Sequence, residues 1–247
     1  MRIKEFFFLN IKQKRELIEY YINSKNFKYK TESFKKNGYD GFNYLVLDWY
    51  KEDKPNIVIT AHYDGVGAYD NIGGVVGLFW LIKWAALDKL ESINDNFGFI
   101  PVFTDGEEHN LLGARQLIKS NIFKEIRIHA HLSLDGFGIG NHIGGFGNVR
   151  KLNLELKNNK KTELIFSADT TIFQDNRIPS IHVFTLPLDQ LNNLVKKSIF
   201  PSCWRIVHTK SDTPDKTDDE TLPFVVYNLY RKFSYLNFFR KGVFIVL

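Results

Sequence analysis

Apolar positions along the chain fall into two rhythms. Between residues 11 and 25, Ile11, Leu17, Ile18 and Tyr21 recur at helical spacing among polar neighbours, which predicts an amphipathic helix. Short apolar runs at Tyr44 to Trp49, Asn56 to Thr60, Phe97 to Thr104, His129 to Leu134 and Ser180 to Phe184 read as strands, those at 56–60 and 97–104 as buried ones. Gly73 to Leu87 is apolar on nearly all sides and predicts a buried helix. Leu111 to Lys119 and the aromatic-rich Leu222 to Phe239 predict two more helices, and the apolar run Gly242 to Leu247 reads as a packed tail or a last strand. Strands alternating with helices imply an α/β fold, with a mixed, mostly parallel central sheet flanked by helices in three layers. No linker, repeat or low-complexity tract interrupts the pattern, so residues 1–247 are expected to form a single domain.

Composition narrows the function classes. Hydrophobic residues make up 44% of the chain, enough for a sizeable core. The formal charge of +5 is spread along the sequence, without the basic stripe that nucleic-acid binding calls for. Cys203 is the single cysteine, so no disulfide framework can form within the chain, which suits a reducing compartment. The apolar run near Met1 to Leu9 is too short for a signal peptide, and no window approaches a membrane span. A cytoplasmic protein without a membrane partner is the expectation, and the oligomeric state stays open.

In sheets of this class, ligands bind beyond the carboxyl ends of the strands. Three predicted strands end directly in His62-Tyr63-Asp64, Asp105-Gly106-Glu107-Glu108 and Asp135-Gly136. A carboxylate two residues from His62 would fix its tautomer and raise its basicity, an arrangement common around metal-bound imidazoles. Glu107 and Glu108, adjacent at the end of an apolar strand, repel each other unless a cation intervenes. One of them could bind a metal while the other takes a proton from an activated water. Asp70 or Asn71 could simply cap the following helix, Asp135 could form a turn, and Asp212 could cap the helix after it and orient the loop of His208. Together these positions supply two histidines and three carboxylates, a nitrogen-and-oxygen donor set suited to zinc.

The blocks Ala61-His62-Tyr63-Asp64, Gly67-Ala68-Tyr69-Asp70-Asn71-Ile72-Gly73-Gly74, Asp105-Gly106-Glu107-Glu108, Leu134-Asp135 and His208-Thr209-Lys210-Ser211-Asp212-Thr213-Pro214-Asp215-Lys216 occur in that order. In this the sequence resembles the co-catalytic zinc aminopeptidase family, which includes bacterial leucyl aminopeptidases, aminopeptidase Y and glutaminyl cyclases. The resemblance spans roughly residues 56 to 220. It implies a zinc-exopeptidase fold of the phosphorylase/hydrolase-like kind and two zinc ions per chain. His62 and Asp135 would hold one ion, Glu108 and His208 the other, and Asp70 would bridge them through a loop with a cis bond to Asn71. Asp64 would orient His62, and Glu107 would serve as general base and acid. The implied substrate is a peptide or small amide with a free N-terminus. A glutaminyl cyclase with one zinc, and a binding domain without catalysis, are the competing implications. Two positions depart from the pattern: Thr170 stands where relatives often carry His, and Gly73 where Ser is usual. His109, His129, His131, His142 and His182 match no ligand position and are expected to be structural or surface residues.

Overall fold

The computed structural model describes residues 1–87, 97–147, 151–155, 161–165, 168–232 and 242–246. Helices α1 (Ile3–Phe7) and α2 (Ile11–Ser24) open the chain and lead into a hairpin of β1 (Tyr29–Lys36) and β2 (Tyr39–Val46). Next come β3 (Asn56–His62), α3 (Ile72–Leu87), β4 (Gly98–Thr104), α4 (Leu112–Lys119), α5 (Asn121–Glu125) and β5 (Ile128–Leu134). They are followed by β6 (His142–Gly147), β7 (Lys151–Glu155), β8 (Lys161–Ile165), α6 (Asp169–Asp175) and β9 (Ser180–Leu186). Helices α7 (Leu188–Lys197) and α8 (Leu222–Lys232) and strand β10 (Gly242–Val246) complete the order.

Eight strands form one mixed sheet in the order β1-β2-β4-β3-β5-β9-β6-β10, and β7 pairs separately with β8. The four central strands β4, β3, β5 and β9 run parallel, while both margins are antiparallel. Pro101 has no N–H to give and sits in β4 just where the ladder to β2 ends, at Leu45 opposite Val102. Helices α1, α2, α3 and α8 cover one face, around Ile18, Ile22, Val75, Leu78 and Val226. Helices α4, α5 and α6 cover the other, around Leu117, Phe123, Ile172 and Phe173. These are the three layers expected. Among the described residues no helix is long and apolar enough to cross a membrane.

Several elements differ from the sequence reading. Strand β1 was not anticipated because Tyr29–Lys36 is mostly exposed and lysine-rich, a pattern that suits an edge strand resisting further pairing but carries no apolar alternation. Strand β2 starts at Tyr39 rather than Tyr44 and stops at Val46 rather than Trp49. Trp49 leaves the ladder to stack on Phe99 with ring centroids 4.9 Å apart. Strand β6, His-Ile-Gly-Gly-Phe-Gly, is too rich in glycine to be read as a strand. The long C-terminal helix is present as Leu222–Lys232, and residues 233–239 lie outside the described residues. The closing run is strand β10, paired with β6.

The start of α3 is pressed onto the end of β5. A Cβ added at Gly73 would lie 1.9 Å from the Phe137 carbonyl oxygen, and one at Gly74 would lie 2.2 Å from that of Leu134. Backbone cannot retreat from such a contact as a flexible side chain can, so the departure from Ser at position 73 has a steric cause. Gly73→Ser is expected to lower unfolding stability by about 2 kcal/mol or more. Chemical denaturation checks this, and an unchanged midpoint would contradict the packing described.

Candidate metal centre

The polar residues of the sequence blocks meet where the fold brings strand ends together. His62 is the last residue of β3, Asp70 precedes α3, Glu107 and Glu108 follow β4, and Asp135 follows β5. His208 lies on the loop before α8. His62 Nε2 stands 3.4 Å from Asp70 Oδ1 and 3.9 Å from Asp135 Oδ1. His208 Nε2 stands 2.9 Å from Asp70 Oδ2 and 3.7 Å from Glu108 Oε1. One Asp70 oxygen therefore faces each imidazole. His62, Asp70 and Asp135 bring donor atoms within 4.8 Å of one another, as do Asp70, Glu108 and His208, and also His62, Glu107 and Glu108.

These residues fit a divalent ion. Ligands about 2 Å from a tetrahedral zinc stand about 3.3 Å apart, close to the spacings around Asp70. His62 is 2% exposed, and neither of its ring nitrogens makes a hydrogen bond. Idle buried polar atoms are costly, and a cation on Nε2 would satisfy one of them.

The electrostatics record the same crowding. Burial works against a charged His62, but Glu107 and the carboxyls of Asp135, Asp64 and Asp70 outweigh it and push its pKa well above the ordinary value. The bond to Asp70 raises His208 to about 9. Burial lifts the Glu107 carboxyl to about 9 against the pull of His62, and Asp135, Asp169 and Glu108 add to the lift. Glu108 is raised as well, by burial first and then by Asp70.

Surrounding contacts fix the donors. Asp64 Oδ1 is 3.4 Å from His62 Nδ1, and Asp64 Oδ2 accepts the Glu108 N–H at 3.1 Å, so Asp64 ties the first block to the third. The Asp70–Asn71 peptide bond is cis. Asn71 occupies the position before α3 and its carbonyl accepts the Val75 N–H, but its side chain caps no N–H; the side-chain amide donates to the His62 carbonyl at 3.2 Å. Asp212 also differs from its expected role of capping the following helix. Its buried carboxylate accepts the N–H groups of Tyr69 at 2.7 Å and Asp70 at 3.0 Å. The segment carrying His208 thus holds the Asp70 loop directly.

A cavity of about 410 Å³ opens over the donors. It is lined by Asp70, Glu107, Glu108 and Asp135 together with Phe184, Phe200, Trp204 and Val207. Sequence reasoning missed His182, which lines this cavity with Nδ1 3.8 Å from Asp135 Oδ2. No local signal marks it, because only the pairing of β9 with β5 brings it there. Thr170, in the place of the family's histidine, is buried and does not line the cavity. Its neighbour Asp169 accepts the Thr104 hydroxyl at 2.8 Å behind the site. His131 is a core residue, stacked on Phe173 at 3.7 Å with Nε2 2.9 Å from the Thr60 hydroxyl oxygen.

The chain resembles known proteins to different degrees. A vacuolar membrane protease of Sclerotinia sclerotiorum is 29% identical over 107 residues, covering 38% of this chain and 10% of that protein. A glutaminyl cyclase of Macrostomum lignano superposes with a TM-score of 0.62 at 14% identity, over 94% of this chain and 87% of that one. A zinc aminopeptidase of Bacillus subtilis superposes with a TM-score of 0.51 at 16% identity, over 78% of this chain and 48% of that one. At such identities the structural likeness is one of fold. The chain spans a tenth of the fungal protease and about half of the bacterial aminopeptidase. Residues 45–230 match Peptidase family M28, a stretch running from β2 into α8 and containing every donor gathered at the strand ends. The chain belongs to Peptidase family M28.

Proposed function

We propose that this protein is a zinc-dependent aminopeptidase, with residues 1–247 forming one catalytic domain around a two-ion centre. The observation that carries the reading is Asp70, whose two oxygens face two different imidazoles, each with a further carboxylate beside it. His62 and Asp135 would hold one zinc, Glu108 and His208 the other, and Asp70 both. Zinc suits a donor set of imidazole and carboxylate.

Two divalent cations there would polarise the scissile carbonyl, acidify an attacking water and favour the ionised form of Glu107. The remaining work belongs to the chain. Glu107, largely buried beside His62 and Glu108, takes the proton of the water and returns it to the leaving amine. Asp64, with Oδ1 3.4 Å from His62 Nδ1, stands where it would orient the ring once the metal is bound. The free α-amine of a peptide's first residue would bind near one metal, and Phe184, Phe200 and Trp204, which line the cavity, would shield its side chain from water. That arrangement limits cleavage to the N-terminal bond.

A second reading is supported by one observation. The glutaminyl cyclase fold covers 87% of its own chain with this one, so the two are of similar extent. On that reading Glu107 would carry the proton from the α-amine of an N-terminal glutamine to departing ammonia. The zinc-loaded protein is expected to release the first residue from a panel of aminoacyl anilides and to leave a glutaminyl peptide uncyclised. Mass spectrometry of the products decides, and loss of ammonia from the glutaminyl peptide without peptide-bond cleavage would refute the aminopeptidase.

Glu107→Gln keeps shape and removes the base. It is expected to stay folded and metal-loaded while kcat falls at least about 100-fold. Elemental analysis alongside steady-state kinetics checks both halves, and normal turnover would refute the assigned base.

A further inference from the structure

Helix α2 lies ahead of the residues that match the family, and it contacts the loops that carry the donors. Its apolar residues Ile18 and Ile22 account for its packing on the core. Two adjacent cations do something else. Successive residues on a helix diverge by about 100°, and Lys14 and Arg15 use that divergence to reach two different loops.

Lys14 is only 3% exposed. Its ammonium donates to the carbonyl of Tyr63 at 3.1 Å and to that of Gly65 at 2.6 Å, on the loop that carries His62 and Asp64. A buried ammonium is expensive unless its donors are used, so these bonds fix the loop as firmly as they fix the lysine. Burial also draws the Lys14 pKa down to about 8, against the pull of Asp64 and Asp105.

Arg15 reaches the other loop. Its guanidinium donates to Asp105 Oδ2 at 2.7 Å and to the Asp40 carbonyl at 2.8 Å, and it lies 4.7 Å from the Phe42 ring centre. Asp105 is fully buried and starts the block that carries Glu107 and Glu108. It also accepts the Tyr39 hydroxyl and, at 3.0 Å, the Phe42 N–H. The Tyr63 hydroxyl lies 2.8 Å from the same carboxylate, so Asp105 joins the His62 loop to the Glu108 loop through one buried charge.

We infer that Lys14 and Arg15 are positioning residues of the metal centre, clamping the two donor loops so that His62 and Glu108 keep their spacing about Asp70. The inference rests on the reading that these donors hold divalent ions. It adds an element outside the family match, and it predicts that metal affinity is set partly by a helix that contributes no ligand. Outer partners of metal ligands commonly govern affinity in this way.

The test measures zinc dissociation constants by chelator competition for the wild type, Lys14→Met and Arg15→Met. Each apoprotein is first shown to be folded by chemical denaturation, so that lost stability alone cannot move the result. Each variant is expected to bind zinc about tenfold more weakly or worse. Lys12→Met, on an exposed turn of the same helix, is expected to match the wild type. Should the methionine variants fail to fold, Tyr63→Phe removes the hydroxyl that contacts both Asp105 and the Phe42 carbonyl and is expected to weaken zinc binding several-fold. Folded variants whose affinities stay within twofold of the wild type would overturn the clamp alone. A wild type that takes up no zinc would overturn the two-ion reading and the clamp with it.

Discussion

Carboxylates crowded at a water-poor strand end repel one another, and the surroundings of this centre are built to keep them there. Asp64, Asp70, Glu107, Glu108 and Asp135 converge on His62 and His208. Two like charges about 4 Å apart near a protein surface oppose each other by on the order of 4 kcal/mol. The crowding and burial show in the direction of the pKa shifts. Glu107 and Glu108 are pushed up, and both imidazoles favour their charged forms. A metal bound there would therefore compete with protons for one set of atoms, as expected where ligands must lose protons to bind.

Holding such a cluster requires rigid elements on every side. The parallel strands β3, β4 and β5 end together and set the depth of His62, Glu108 and Asp135. The apolar helix α3 is packed against the end of β5 so closely that only glycine fits at positions 73 and 74, which places the Asp70 loop beside Asp135. Asp212 then links that loop to the segment of His208. Helix α2 contacts the loops that carry the donors through Lys14 and Arg15. Each donor is held by contacts from at least one element that supplies no donor of its own or supplies a different one.

Much of this was legible in the sequence, for a reason that also explains what was not. The donors His62, Glu108 and Asp135 follow β-branched or apolar runs, so periodicity finds the strand ends and the fold rule places the site there. The spacing of Asp70 before a glycine-containing apolar helix is local too. Asp212 and Tyr69 are far apart in the chain, and a buried carboxylate facing backbone N–H groups across that distance leaves no pattern. Lys14 and Arg15 look like the solvent face of an amphipathic helix, although both point inward. His182 sits inside a run read as a strand, where alternation does not tell which neighbour's end it will face. The edge strand β1 escaped because its lysines, which suit its position, erase the apolar alternation by which strands are recognised.

The central claim is that the crowded donors form a two-ion centre, and counting ions tests it most directly. The purified, dialysed protein would be analysed for zinc by elemental analysis against protein concentration. Close to two zinc ions per chain is the result predicted. No bound zinc, together with failure to take it up on readdition, would contradict the account and leave the strand-end carboxylates as caps and turns.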